Sequence, residues 1–207
     1  MIYLSDDYVT HYCDALSYLI SRSYHEGYTF DHIEKTISYS RIIEEFERSN
    51  ITLIAFTSMQ RIYDDIFKSK ENNFVLDIYD EFGWAGSTYM HLFLSMNITF
   101  EALFNIIPIK KMLDLYKLYH EMSFSQILDY AKSIIDSSLL DVIMKNKGWT
   151  NERLAKETNI NIATIKALRY GYRDIRKTEA DKLLSISRAL NIKMETLLPD
   201  IHLIKQN

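Results

Sequence analysis

The stretch GWTNERLAKETNINIATIKALRYGYRDI, residues 148–175, decides how the C-terminal part of this chain folds. A helix over Leu139–Asn146 is predicted to end at Lys147 and Gly148, where glycine supplies a left-handed cap and Trp149 tucks back as an apolar plug. Thr150 caps a second helix, about 151–157, with Leu154 inward and the small Ala155 allowing a close crossing. Thr158, Asn159 and Ile160 make the turn, with Asn159 suited to positive φ and Ile160 returning an anchor to the core. Asn161 caps a third helix, about 162–170, whose Ile165 and Leu168 face inward, and Gly171 closes it. Thr178 and Asp181 have the spacing of a capping box for the next helix. Between Ser138 and Pro199 the rhythm is of five short helices separated by polar turns.

Outside this segment the composition changes. Residues 1–137 carry 11 Lys and Arg against 20 Asp and Glu, and residues 138–207 carry 13 against 8, so a part of charge -9 precedes one of +5. All 10 Phe and 13 of the 15 Tyr lie in the first part. Two cores of different character are expected, residues 1–137 and residues 138–207, and a small basic module often contacts polyanions. The whole chain, 207 residues with 47% apolar and 25% charged side chains and only 5 Gly and 2 Pro, has the material for globular cores. A single cysteine, Cys13, rules out an internal disulfide and implies a reducing compartment. With no secretory leader or membrane-length apolar run, the expected location is the cytoplasm.

The first part reads as a set of helices, which makes the fold class all-α. A helix opens at Ser5 and runs to Gly27, a second spans about 31–48, and a third spans about 52–70 with Ile54, Met59, Ile62, Tyr63, Ile66 and Phe67 inward. A strand or extended loop competes only at NNFVLDIYDEFGWAG, residues 72–86, where the apolar positions fit no single helical stripe and Gly83 and Gly86 follow. Helices are expected to resume at about 87–96, then after Thr99, then from Pro108 through Met122, and from Ser123 or Ser125 to about Ile135.

The C-terminal segment, about 139–198, resembles the helix-turn-helix of the Cro/C1 (XRE) family, with the lambda-repressor-like fold. The resemblance rests on Ala155, Ile160, Ile165, Leu168, Gly171 and the closing SRALNIKMETLL, residues 187–198. The segment departs from the family pattern in three ways: Asn151 replaces a usual Gln, Asn159 a usual Gly, and Ile162 with Ala163 stand where polar base-readers are common. The resemblance implies double-stranded DNA as partner. Ile162, Lys166 and Arg169 fall at i, i+4 and i+7, one outward stripe of the third helix beside Asn161 and Ala163, and this face is expected to meet base edges in the major groove, with thymine methyls suiting the apolar pair. Thr150, Asn151, Tyr172, Arg173, Arg176 and Lys177 are assigned to phosphates.

The function expected is a sequence-specific transcriptional regulator, a repressor that dimerises through residues 1–137 on a near-palindromic operator, with an effector or protein partner for the acidic part. The alternative is a phage-type inhibitor or antitoxin that works through protein binding by its acidic domain. No cofactor and no metal site is expected, because none of the six His pairs with another His or with Cys at ligand spacing. An acid–base pair of His91 and His120 is imaginable, but core or interface histidines are the default, and the chain does not read as an enzyme.

Overall fold

The computed structural model describes residues 6–47, 57–68, 80–96, 98–135 and 138–198. Every regular element among them is helical. The chain packs as two units, one formed by residues 1–96 and 108–124, the other by residues 97–107 and 125–207. Packing therefore divides the chain differently from charge and aromatic content, whose break lies near 137.

In the first unit α1 (Asp6–His25) is the central element, buried from Tyr12 to Ser23 apart from Asp14. Along its length lies α5 (Glu81–Met96), after the shorter α2 (Phe30–Ser38), α3 (Arg41–Glu47) and α4 (Met59–Phe67). The single helix expected over 31–48 is two helices, α2 and α3. Tyr39 leaves helical geometry at φ -105° and ψ 8°, and Ser40 Oγ accepts from the Ile43 amide at 3.2 Å, capping a fresh start. Helix α4 starts at Met59, capped by Ser58, and stops where Lys68 turns left-handed; Ile54 lies outside the described residues.

Gly83 and Gly86 do not end a strand, because α5 begins at Glu81 and runs through both. Asp80 starts it by accepting from the Phe82 and Gly83 amides, each at 2.8 Å. The glycines serve the α1 crossing: Ser17 Oγ donates to the Gly83 carbonyl at 3.0 Å, and a Cβ on Gly86 would lie 2.4 Å from Ser17 Cα. Residues 72–79 of the ambiguous stretch lie outside the described residues.

Arg22 of α1 is wholly buried and held from α4. It donates to Glu26 at 2.8 Å, to the Tyr18 hydroxyl at 2.9 Å and to Gln60 at 2.5 Å, and lies 4.2 Å from the Tyr63 ring centroid. Burial depresses a guanidinium, but the hydrogen bonds to Glu26 and Tyr18 outweigh it and keep Arg22 charged. After residue 107 the first unit resumes with α7, Ile109–Tyr119, whose first amide donates to Glu34 Oε1 of α2 at 2.6 Å. It ends at Tyr119 rather than Met122, in a turn closed by the Met122 amide on the Tyr119 carbonyl at 3.0 Å.

The second unit begins with α6 (Phe100–Ile106), capped by Thr99, and includes α8, Phe124–Ile135, from Ser125 onward. It continues through α9 (Leu139–Asn146), α10 (Asn151–Thr158), α11 (Ile162–Arg169) and α12 (Ala180–Leu190), with 3-10 turns at Ile175–Lys177 and Met194–Leu197. Leu140, Ile143, Met144, Leu154, Ile165, Leu168, Ile186 and Leu197 form its core. Helix α6 is a member of this core through buried Glu101, which accepts from the Lys193 amide at 2.8 Å and the Thr196 hydroxyl at 2.5 Å, fixing the closing turn. No helix among the described residues is long and apolar enough to cross a membrane.

Candidate nucleic-acid interface

The local chemistry of residues 148–175 sets the helices that carry the interface. Gly148 takes φ +64° and the Trp149 amide returns to the Met144 carbonyl at 2.8 Å, a reversed-turn closure of α9. Trp149 is half-buried rather than a core plug, and its ring lies 4.0 Å below the Arg153 guanidinium. Thr150 Oγ1 accepts from the Arg153 amide at 3.2 Å to start α10. Asn159 is left-handed at φ +55°, Ile160 returns to the core, and Asn161 Oδ1 accepts from the Ala163 amide at 2.8 Å to start α11. Ile165 and Leu168 then pin one side of α11 inside.

What this leaves outside is the face expected to meet DNA. Asn161, Ala163 and Lys166 are exposed and Ile162 is half-buried. Lys166 takes part in no ion pair among the described residues. Beyond the helix Tyr170 is 49% exposed and Tyr172 86%, with Arg173 and Lys177 exposed on the same loop. The Arg173 amide reaches the Ala167 carbonyl at 3.0 Å, and its side chain takes part in no ion pair among the described residues. Arg176 is also exposed but chelates Asp174 through Nε and Nη2, each at 3.0 Å.

Arg169 and Asn151 depart from their expected places. The Arg169 side chain is 12% exposed, its Nε lies 2.6 Å from Asp141 Oδ1 and its Nη1 donates to Asn151 Oδ1 at 3.1 Å. Asn151 is itself buried and donates to the Tyr170 hydroxyl at 3.4 Å. Arg169 therefore ties α11 to α9 and α10 instead of standing free on the groove-facing stripe, and the shorter Asn151 completes that tie instead of reaching outward. Asp141 is the residue the sequence reading missed. Its only local signal is Lys145, four residues on, whose ammonium lies 2.6 Å from Oδ2. Burial alone raises this carboxyl, but hydrogen bonds from Lys145 and Arg169 outweigh it and hold Asp141 below the usual carboxylate range.

The capping box expected at Thr178 and Asp181 does not form. Helix α12 starts after Glu179 without a side-chain cap, Thr178 Oγ1 is buried with no hydrogen-bond partner among the described residues, and Asp181 Oδ1 takes the Lys182 amide at 2.8 Å.

Residues 140–201 match the family model of the Cro/C1-type HTH DNA-binding domain. The C-terminal third of the chain is such a domain. The match leaves residues 1–139 unassigned, among them α6, which the packing places in the same unit as the helix-turn-helix. No curated protein and no solved structure matches the chain.

His91 and His120 have separate partners. His91 Nε2 lies 4.0 Å from Cys13 Sγ and its ring 5.5 Å from that of Phe124, whereas His120 Nδ1 lies 2.7 Å from the Tyr116 carbonyl and Nε2 3.6 Å from Glu121. Burial pushes the Cys13 thiol up, which favours its neutral form. No group of three or more His, Cys, Asp or Glu among the described residues is arranged to hold a metal ion.

Proposed function

We propose that the chain is a sequence-specific DNA-binding regulator, a repressor that acts as a dimer on a near-palindromic operator. The observation that carries the reading is the exposed N-terminal half of α11, where Asn161, Ala163 and unpaired Lys166 project while Ile165, Leu168 and the Arg169 tie fix the opposite side. A helix so presented fits one major groove, and one half-site seldom discriminates enough against a genome, hence the dimer. Asn161, Ile162, Ala163 and Lys166 are assigned to base edges, and Thr150, Tyr172, Arg173 and Lys177 to phosphates, with Arg176 joining them by exchanging Asp174 for a phosphate oxygen. A dimer role for the first unit is supported by exposed Leu94, Leu118 and Met122, whereas among the described residues of the second Leu184 alone is an exposed large aliphatic residue.

Selection of bound fragments from a random DNA pool tests the reading. Enrichment of an inverted repeat supports it; no enrichment, with tight binding to a protein, overturns it in favour of an inhibitor or antitoxin working through its acidic part.

Two substitutions separate base from phosphate contacts. Lys166→Ala is expected to weaken binding to the selected operator by about 1–3 kcal/mol more than binding to random DNA. Equal losses on both would move Lys166 to the phosphate group. For Arg173→Ala and Lys177→Ala, binding to all sequences is expected to fall, and the slope of log affinity against log salt to shrink by about 0.9 for each. A slope that stays put in fluorescence-anisotropy titrations counts against those two contacts.

A further inference from the structure

The break between α2 and α3 opens a cavity of about 1020 Å³ in the first unit. That is at the upper end of the range for small-molecule sites, about 300–1,000 Å³. It is lined from α2 by His32, Lys35 and Thr36, from the break by Tyr39 and Ser40, and from the facing helices by side chains that include Arg41 of α3 and Arg61 of α4. Ile42 and Ile62 line it and are buried, which gives the cavity an apolar floor.

Its charge runs against its surroundings. Among the described lining residues, Lys35, Arg41 and Arg61 stand with one carboxylate, Asp65, a balance of +2 in a stretch of sequence with a balance of -9. None of the three cations takes part in an ion pair among the described residues, although other cations of this unit do, as in Arg22 with Glu26 and Lys110 with Asp114. All three are exposed, so they stand at the opening while the isoleucines lie beneath. Three unspent cations converging on one concavity hold mutual repulsion that an anion relieves, and Thr36, Tyr39 and Thr57 add hydroxyls around the same space.

We propose that this cavity is a binding site for a small organic anion with an apolar body, the acid group held by Lys35, Arg41 and Arg61 and the body seated on Ile42 and Ile62. The inference does not depend on DNA binding, since it concerns the first unit alone.

The probe is 8-anilinonaphthalene-1-sulfonate, an aromatic sulfonate, titrated by fluorescence and calorimetry into the full chain. Saturable binding at one site per chain is expected, with the uncharged N-phenyl-1-naphthylamine binding at least tenfold more weakly. The Lys35→Gln/Arg41→Gln/Arg61→Gln variant is expected to lose tenfold or more in sulfonate affinity. These three side chains are at the surface, so the variant is expected to keep its helical circular dichroism and melting midpoint. Thr36→Trp, which puts a bulky ring into the cavity without changing its charge, is expected to weaken sulfonate binding as well. Equal affinity for the charged and uncharged probes, or an unchanged sulfonate affinity in both variants, would overturn the assignment.

Discussion

Asp141→Ala is expected to destabilise the DNA-binding unit by about 3–5 kcal/mol, because it strands the largely buried Arg169 guanidinium without its carboxylate. A domain is stable by only about 5–15 kcal/mol, so this one change approaches the limit of what the unit survives. The loss comes from isolating a charge rather than from the worth of the pair, and an apolar pair of similar volume is often neutral. Asp141→Leu/Arg169→Met is therefore expected to be more stable than Asp141→Ala, although it removes more polar groups. Trp149 reports on this unit once Trp84 of the other unit is replaced by Phe, so urea unfolding followed by Trp149 fluorescence measures both variants. A cost below about 1 kcal/mol for Asp141→Ala would show that the tie is solvated and loose.

The same carboxylate gives the unit a pH dependence of known sign. Its pKa lies below the ordinary 3.8 in the folded state, so the unfolded chain binds the proton more readily. The stabilisation is complete above the ordinary carboxylate value and is lost as pH falls through the lower, folded one. The gap in urea midpoint between the native chain and Asp141→Asn should thus be full at neutral pH and close in acid below 3.8. A gap that widened on acidification would reverse the assigned direction.

What the sequence made legible and what it hid follow from the range of the interactions. Thr150 and Asn161 hold the helix-turn-helix by bonds within a few residues and Asn159 by its left-handed backbone, and features of that kind are written in local order. The buried anchors Leu154, Ile165 and Leu168 follow from helical period alone. Arg169 has the right position for the outward stripe by the same counting, yet its partner stands 28 residues earlier, and no periodicity encodes that. Glu101 is a stronger case: it lies in the acidic, aromatic part by composition but fixes a turn 92 to 95 residues later. Composition averages over a segment, so a short helix such as α6 that packs with a distant module leaves no trace in it. The break at Ser40 was hidden for the opposite reason, since a serine inside a helical pattern is tolerated until its hydroxyl is seen to cap the next turn.

The glycines of α5 lead to the second large effect, Gly86→Ala. By helix propensity alone the substitution stabilises by about 1 kcal/mol, since glycine inside a helix is worse than alanine by that much. Geometry reverses the sign. The added Cβ would stand 2.4 Å from Ser17 Cα, N and Oγ, and two of those atoms are backbone of the central helix, which no rotamer change can move aside. Helices α1 and α5 would have to separate at their crossing, weakening the Ser17 bond to the Gly83 carbonyl and opening gaps around Leu16 and Leu19, both wholly buried. Overpacking usually costs about 1–3 kcal/mol, and with rigid backbone as the obstacle the loss is expected at or beyond the top of that range. Trp84, two residues away on α5, reports on the crossing once Trp149 is replaced by Phe, and its unfolding midpoint in urea should fall sharply. The Trp149 signal, read in the Trp84→Phe background, is the control and should keep its midpoint. A rise in the Trp84 midpoint, as propensity alone predicts, would show that α1 and α5 do not meet at Gly86 as closely as the crossing requires.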